Sequence, residues 1–215
     1  MFFSYTFFIL AVIRMYEKLS RILTDKLVEL KILDIKDFDV YQYGFELLIS
    51  TIFTTAVVFV ISIIVGRFIE TTIYLIGFFC IRAICGGFHA KHHYSCFITT
   101  ILTYFAFLII HYSTLKTSHI KILVGLFVLS SVIIIFCLAP VEHPNNPMTE
   151  YRKKKNRIVS IFFSIFTIFV FAVSVLFNTL TKTLSPFFIG VFIASVSILA
   201  AKIENEFYKR KEVKP

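Results

Sequence analysis

The stretch Phe68-Ile69-Glu70-Thr71-Thr72-Ile73-Tyr74-Leu75-Ile76-Gly77-Phe78-Phe79-Cys80-Ile81-Arg82-Ala83-Ile84-Cys85 decides the fold, because whether it crosses a membrane sets the side of every later segment. Glu70 and Arg82 bracket an uncharged run of only Thr71–Ile81, whereas a helix crossing a ~30 Å hydrocarbon core wants about 18 to 20 apolar residues. Such a segment either spans with its ends snorkelling or re-enters. Clear spans flank it: Phe45–Val65 before, then Cys96–Tyr112, Ile122–Ala139, Ile158–Thr181 and Leu184–Ala201. Val65-Gly66-Arg67 separates it from the first span, and Gly86-Gly87 ends it.

Composition says what solvent these runs meet. The 215 residues are 58% hydrophobic and 16% charged, with 27 Phe and no Trp, and mean hydropathy is +0.84. Those values exclude a disordered chain, a nucleic-acid-binding module and an ordinary soluble domain. A soluble protein of 24.9 kDa could not bury this much apolar side chain, since even normal compositions leave over half the surface apolar. Four cysteines, Cys80, Cys85, Cys96 and Cys137, sit in or beside apolar segments, which does not suggest a disulfide framework.

Basic residues then test the span count. With a cytoplasmic N-terminus and six spans, Arg14, Lys18, Arg21, Lys26, Lys31 and Lys36 fall inside, as do Arg82 and Lys91. So do Arg152, Lys153, Lys154, Lys155 and Arg157, and the tail residues Lys202, Lys209, Arg210, Lys211 and Lys214. Only Arg67, Lys116, Lys121 and Lys182 of the 22 Lys and Arg fall outside. A bias this strong supports both six spans and the orientation. Dropping the weak Phe68–Cys85 span would divide the 140–157 loop and the tail between opposite sides.

Before the spans, Met1–Val12 is apolar but too short to cross, and it lacks the basic lead and small-residue cleavage site of a secretory signal. Ile13, Tyr16, Leu19, Ile22, Leu23, Leu27, Leu30 and Leu33 recur at helical spacing against Lys18, Arg21, Asp25, Lys26, Glu29 and Lys31. Residues 13–33 thus read as an amphipathic helix lying in the interface. Met15 offers a second start, from which residues 1–14 would be an upstream extension, and the sequence leaves Met1 and Met15 both open as starts. The expected organisation is an N-terminal segment 1–44, a membrane domain 45–201 and a basic tail 202–215.

Chemistry concentrates in Arg82-Ala83-Ile84-Cys85-Gly86-Gly87-Phe88-His89-Ala90-Lys91-His92-His93-Tyr94-Ser95-Cys96, at the expected cytoplasmic boundary. Ionisable groups at membrane depth are costly and point to function. Cys96 opens the third span, where unpaired backbone N–H groups and the positive dipole end favour thiolate. A histidine within reach would stabilise that thiolate and later protonate a leaving amine. By spacing His89, His92 and His93 all compete for that role, while as plain interfacial imidazoles they would be solvated. His89 stands seven residues before Cys96, ~10.5 Å along a straight helix, so contact requires the chain to fold back, a freedom Gly86-Gly87 supplies.

Zinc is the second reading, since His89, His92, His93 and Cys96 are borderline-soft ligands at short spacing, but no carboxylate lies among them. HExxH, GxSxG and GxxxxGK[ST] are absent. Cys80, Cys85 and Cys137 read as small packing residues. Glu46 and Glu70 could orient a histidine or pair with Arg82, with a structural ion pair as the simpler role. Arg82 could clamp a carbonyl near the thiol, and His111 and His119 read as interfacial on the opposite side. Ala139-Pro140-Val141-Glu142-His143-Pro144-Asn145-Asn146-Pro147 cannot continue a helix, and the basic run Arg152–Lys155 follows it. That run is either a positive-inside anchor or a dock for an acidic peptide.

Arg82, the run Gly86-Gly87-Phe88-His89-Ala90 and then Cys96 resemble the signature of the AgrB family of membrane-embedded cysteine endopeptidases. The Ala139-Pro140-Val141-Glu142…Asn146-Pro147 loop with its basic run resembles that family's second recognisable stretch, and the likeness covers nearly the whole chain from about Met15. The resemblance implies an all-α polytopic membrane protein with about six transmembrane helices plus an N-terminal amphipathic helix. It implies Cys96 as nucleophile and His89 as general base and acid, with Arg82 and Gly87 at positions that matter for activity. Gly86, Lys153, Lys154 and Lys155 are read as supporting or substrate-binding residues. The implied partner is an AgrD-type propeptide with an amphipathic leader, a central Cys or Ser and an acidic tail. Its tail leaves on the cytoplasmic side and an acyl-thioester closes to a thiolactone or lactone for quorum sensing. The resemblance also implies a homodimer in the bilayer, with no cofactor, metal or nucleic acid. A small peptide transporter and a metal-binding membrane protein are the competing classes.

Overall fold

Among the described residues of this computed structural model there are seven α-helices: α1 (Phe2–Glu29), α2 (Phe38–Ile64), α3 (Phe68–Cys85), α4 (His93–Lys116), α5 (Ile120–Leu138), α6 (Glu150–Leu176) and α7 (Asn178–Glu212). A short 3-10 turn, Ile35–Asp37, precedes α2, and no strand occurs among the described residues. Those are residues 2–85, 93–141 and 149–212, with the side chains of 2–15, 93–96, 178 and 207–212 left aside. Helices α2 to α7 are long and apolar enough to cross a membrane, so the expected all-α, six-span fold holds, the Phe68–Cys85 stretch included.

Helix ends differ from the sequence reading for local reasons. α1 runs unbroken from Phe2 and stops at Glu29, although the apolar periodicity continues to Leu33. The Ile32 N–H bonds the Leu27 carbonyl at 3.0 Å, the Lys31 N–H bonds Val28 at 2.9 Å, and Lys31 takes the left-handed φ of 57°, a Schellman ending without its usual glycine. Gly66, with φ of 71°, supplies the same conformation after α2 at no steric cost. α6 begins at Glu150 rather than Ile158, because Thr149 caps it and accepts the Arg152 N–H at 3.3 Å. The run Arg152–Lys155 is therefore helical, and α7 carries the helix through the tail to Glu212.

The faces these helices bury are small and hydroxyl-rich. α2 buries Ser50, Thr54, Val58 and Ser62, α6 buries Ser160, Ser164, Thr167 and Ser174, and α1 buries Tyr16, Ser20 and Thr24. Many of these Ser and Thr hydroxyls return to their own helix: Thr24 donates to the Ser20 carbonyl (2.9 Å), Thr54 to Ser50 (2.7 Å) and Ser164 to Ser160 (2.9 Å). Large side chains such as Ile52, Ile64, Phe162 and Phe169 stay exposed. Lipid tails are as apolar as leucine, so helices meet through residues that let backbones approach.

The chain divides into two compact units. One comprises α1, α2 and the start of α4 as far as Leu102. Here α1 lies on α2, with the Tyr16 ring edge-on to Phe53 (5.9 Å) and Phe53 tilted on Phe97 (6.2 Å). Glu46 accepts hydrogen bonds from Ser20 Oγ (3.3 Å) and Gln42 Nε2 (3.1 Å). The Tyr16 hydroxyl is buried with no partner among the described residues, and burial pushes its phenol above the ordinary tyrosine range. Leu19, Ile22 and Leu23, the apolar face of α1, remain exposed.

The other unit runs from Val65 and takes α4 from Thr103 onward. Its centre is the crossing of α3 and α7. A Cβ on Gly77 would lie 2.5 Å from the Phe187 carbonyl oxygen, and one on Gly190 would strike the Tyr74 carbonyl oxygen. Around the crossing Tyr74, Phe78 and Ile81 of α3 and Phe188, Ile189 and Ile198 of α7 are buried. Tyr74 stacks on Phe107 of α4 at 4.1 Å, and Thr71 Oγ1 shares a 2.9 Å hydrogen bond with the Tyr104 hydroxyl. α5 adds Ile120, Val124 and Val128 against Phe188, and Phe171 of α6 meets Phe188 edge-on at 5.6 Å.

Candidate functional site

Within the second unit, the ends of α3 and α5 and the first turns of α6 converge. α5 ends where Pro140 follows Ala139, since proline offers no N–H and the residue before it is driven extended; Ala139 has φ −79° and ψ 147°. Its departing chain is held at once, because the Val141 N–H donates to the Cys85 carbonyl, the last of α3, at 3.0 Å. The Cys85 thiol meets Ser160 Oγ of α6 at 3.3 Å, and Arg157 of α6 donates to the Ala139 carbonyl at 2.5 Å. Cys85, Ala139, Val141 and Ser160 are all buried. In sequence Gly86-Gly87-Phe88-His89 follows Cys85 directly and Val141 is the third residue of Ala139–Pro147, so the residue before the first motif is hydrogen-bonded to one within the second.

Arg82 sits in the last turn of α3, half-buried, its guanidinium 5.7 Å from the centre of the Phe78 ring one turn back. A cation there also offsets the negative helix end. Cys96 lies in the first turn of α4, which opens at His93. Gly86, Gly87, His89 and His92 lie outside the described residues, and so does the zinc reading that needs them. Lys154 and Lys155 are exposed on α6 while Lys153 is half-buried. Four consecutive residues point around the whole helix, so the basic run is not one face.

Two carboxylates and a histidine take other partners than spacing suggests. Glu70 pairs with Arg67, three residues earlier, at 2.8 Å rather than with Arg82. Glu46 meets hydroxyl and amide donors, as described above. His111, expected at an interface, is buried, stacks on Phe107 (5.6 Å) and meets Ser185 Oγ of α7 through Nδ1 at 3.3 Å. Cys85 packs as expected; Cys137 is exposed and Cys80 half-buried.

Charge counting places Arg157 only among the inside basic residues, and hydropathy does not single out Ser160. A signal existed: Arg157, Ser160, Ser164 and Thr167 follow helical spacing, legible once α6 is begun at Thr149 rather than at the apolar Ile158.

Six spanning helices with polar groups gathered at their ends define a multi-pass membrane protein. The family described as Accessory gene regulator B matches residues 14–199, and the chain belongs to that family. Accessory gene regulator protein B of Staphylococcus carnosus (strain TM300) is 26% identical over 142 residues, covering 66% of this chain and 73% of its own length. An AgrB-like protein of Clostridium perfringens (strain SM101 / Type A) is 27% identical over 161 residues, covering 73% and 75%. A second, AgrB-like protein 1 of Clostridium perfringens (strain 13 / Type A), is 33% identical over 133 residues, covering 59% and 69%. No solved structure matches the chain.

Proposed function

We propose that this protein is a membrane-embedded cysteine endopeptidase that processes an AgrD-type quorum-sensing propeptide. The Cys96 thiolate attacks the scissile carbonyl after His89 takes the thiol proton. The tetrahedral intermediate expels the acidic tail, whose amine takes that proton from His89, and an acyl-thioester remains on Cys96. A Cys or Ser side chain within the peptide then attacks the thioester, giving up its proton to His89 and releasing Cys96 and a ring. Acyl transfer from the peptide nitrogen to sulfur and on to the internal nucleophile uses no nucleotide; the thioester lies above the amide, so departure of the tail pulls the step forward, and exclusion of water favours ring closure over hydrolysis. Gly86-Gly87 let the chain turn, and Arg82 holds a substrate carbonyl beside the thiol. The enzyme acts as a homodimer in the cell membrane, with both termini cytoplasmic.

The observation that carries this reading is the family match across residues 14–199, which spans Arg82, His89, Cys96 and the basic run together. Two further features support it. Cys96 stands in the first turn of α4, where exposed backbone N–H groups favour thiolate. Lys153, Lys154 and Lys155 stand in the first turns of α6, near the helix end whose dipole disfavours cations. A positive cluster at that end suits an anionic partner, here the acidic tail.

Trapping tests it. Purified protein in lipid is incubated with a propeptide whose internal nucleophile is Ala, and intact mass is read for wild type, Cys96→Ser and His89→Ala. An acyl adduct on wild type that maps to Cys96 and disappears in both variants is the expected result. A propeptide left intact by wild type, with its natural nucleophile also present, overturns the peptidase reading.

A further inference from the structure

Arg157 follows the basic run Arg152–Lys155 and is held differently from its exposed members. Arg152, Lys154 and Lys155 are exposed, whereas Lys153 and, one turn on, Arg157 are half-buried, and Arg157 is turned to α5. Its Nη1 donates to the Ala139 carbonyl at 2.5 Å with a second, long approach of 3.5 Å to Ile135, and its guanidinium covers the Phe136 ring at 5.3 Å. The last carbonyls of a helix lack intrahelical donors, and at Ala139 the next residue is a proline with no N–H to offer. A guanidinium placed there supplies a charge-assisted donor, opposes the negative helix end and gains a cation–π contact. Two residues on, the Val141 N–H fastens this same chain to the Cys85 carbonyl, and Ser160, one turn along α6 from Arg157, meets the Cys85 thiol. Arg157 and Ser160 thus grip both strands of that junction from a single helix face.

We infer that Arg157 is a positioning residue: by fixing the exit from α5 against Cys85 it fixes the point from which the His89 segment leaves α3, and it is not part of the dock for the acidic tail. The inference rests on the peptidase reading above. Misplacing a reacting group by about 1 Å costs on the order of a hundredfold in rate, so loss of Arg157 acts on the chemical step rather than on affinity.

The test follows acyl-adduct formation by full-length protein in lipid vesicles against two synthetic propeptides. Both have an amphipathic leader and Ala at the internal nucleophile; one has an acidic tail and the other the amide-neutralised tail. Amplitude counts competent molecules, so the rate constant is insensitive to any misfolded fraction. Arg157→Gln is expected to lower the maximal rate constant by about tenfold to a hundredfold, equally for both peptides, with the half-saturating concentration unchanged. Arg157→Lys, which keeps one donor and the charge, recovers part of the rate. The double change Lys154→Gln and Lys155→Gln instead raises half-saturation for the acidic peptide alone. If Arg157→Gln raises half-saturation for the acidic peptide only, Arg157 belongs to the dock and the inference is overturned. It is equally overturned if only amplitude falls, which marks a support of the fold. Absence of any adduct with wild type removes the peptidase reading, and this inference with it.

Discussion

α2 and α3 stand in opposite relation to their own composition. α2 is the clearest apolar run before residue 90, yet it buries only Ser50, Thr54, Val58 and Ser62. α3 is interrupted by Glu70 and Arg82, yet it buries Tyr74, Leu75, Gly77, Phe78 and Ile81. Apolar surface has nothing to gain by leaving lipid for protein, so hydropathy measures fitness for the bilayer and says little about which helix is central. Centrality follows from close fit: α3 carries Gly77 and α7 carries Gly190 where their backbones meet.

The contrast can be broken most forcefully at the α3–α4 stack. Phe107→Ala empties the space against Tyr74 and should cost about 3–5 kcal/mol, read as a fall in the unfolding midpoint in detergent. A fall under a third of that would mean the stack is not central. Next comes one substitution with opposite signs. Gly190→Ala should destabilise by about 1–3 kcal/mol through the Tyr74 carbonyl. Gly44→Ala in α2, where nothing lies within 4 Å, should stabilise by up to about 1 kcal/mol through helix propensity. Equal signs in parallel melts would refute the close crossing.

Smaller effects sharpen the same point. Thr71→Val removes the hydrogen bond to Tyr104 and should cost about 0.6 kcal/mol, typical of a side-chain bond within a membrane bundle; a double cycle with Tyr104→Phe isolates it. Phe162→Leu, on the exposed face of α6, should stay within about 0.5 kcal/mol of wild type. A larger loss would show that this face is covered in the assembled protein.

Much of this was legible in sequence because the bilayer imposes length and sidedness directly. The spans, the marginal Phe68–Cys85 helix included, follow from run length and the distribution of Lys and Arg. Element ends were harder. Thr149 and Lys31 act through hydrogen bonds that an apolar count does not see, so hydropathy alone starts α6 too late and ends α1 too late. At the candidate site, Arg82 at the end of α3 and Cys96 at the start of α4 follow from where the apolar runs stop. The partners of His111 and Arg157 do not, since packing and capping choose them, and Glu70 takes its opposite charge from Arg67 three residues back rather than from Arg82.

Sequence by itself determined that the chain is a six-span helical membrane protein, which residue types crowd its polar ends, and the family to which it belongs. Tertiary structure alone decided that α3 and α7 form the centre of their unit, that on α2 and α6 hydroxyl stripes rather than the largest side chains face inward, and that Val141, Cys85, Arg157 and Ser160 join the end of α3 to the exit from α5. The physical reason is that lipid acts on each segment separately and leaves its mark in composition, whereas contacts between helices depend on shape and on unsatisfied backbone groups, which exist only once the helices have met.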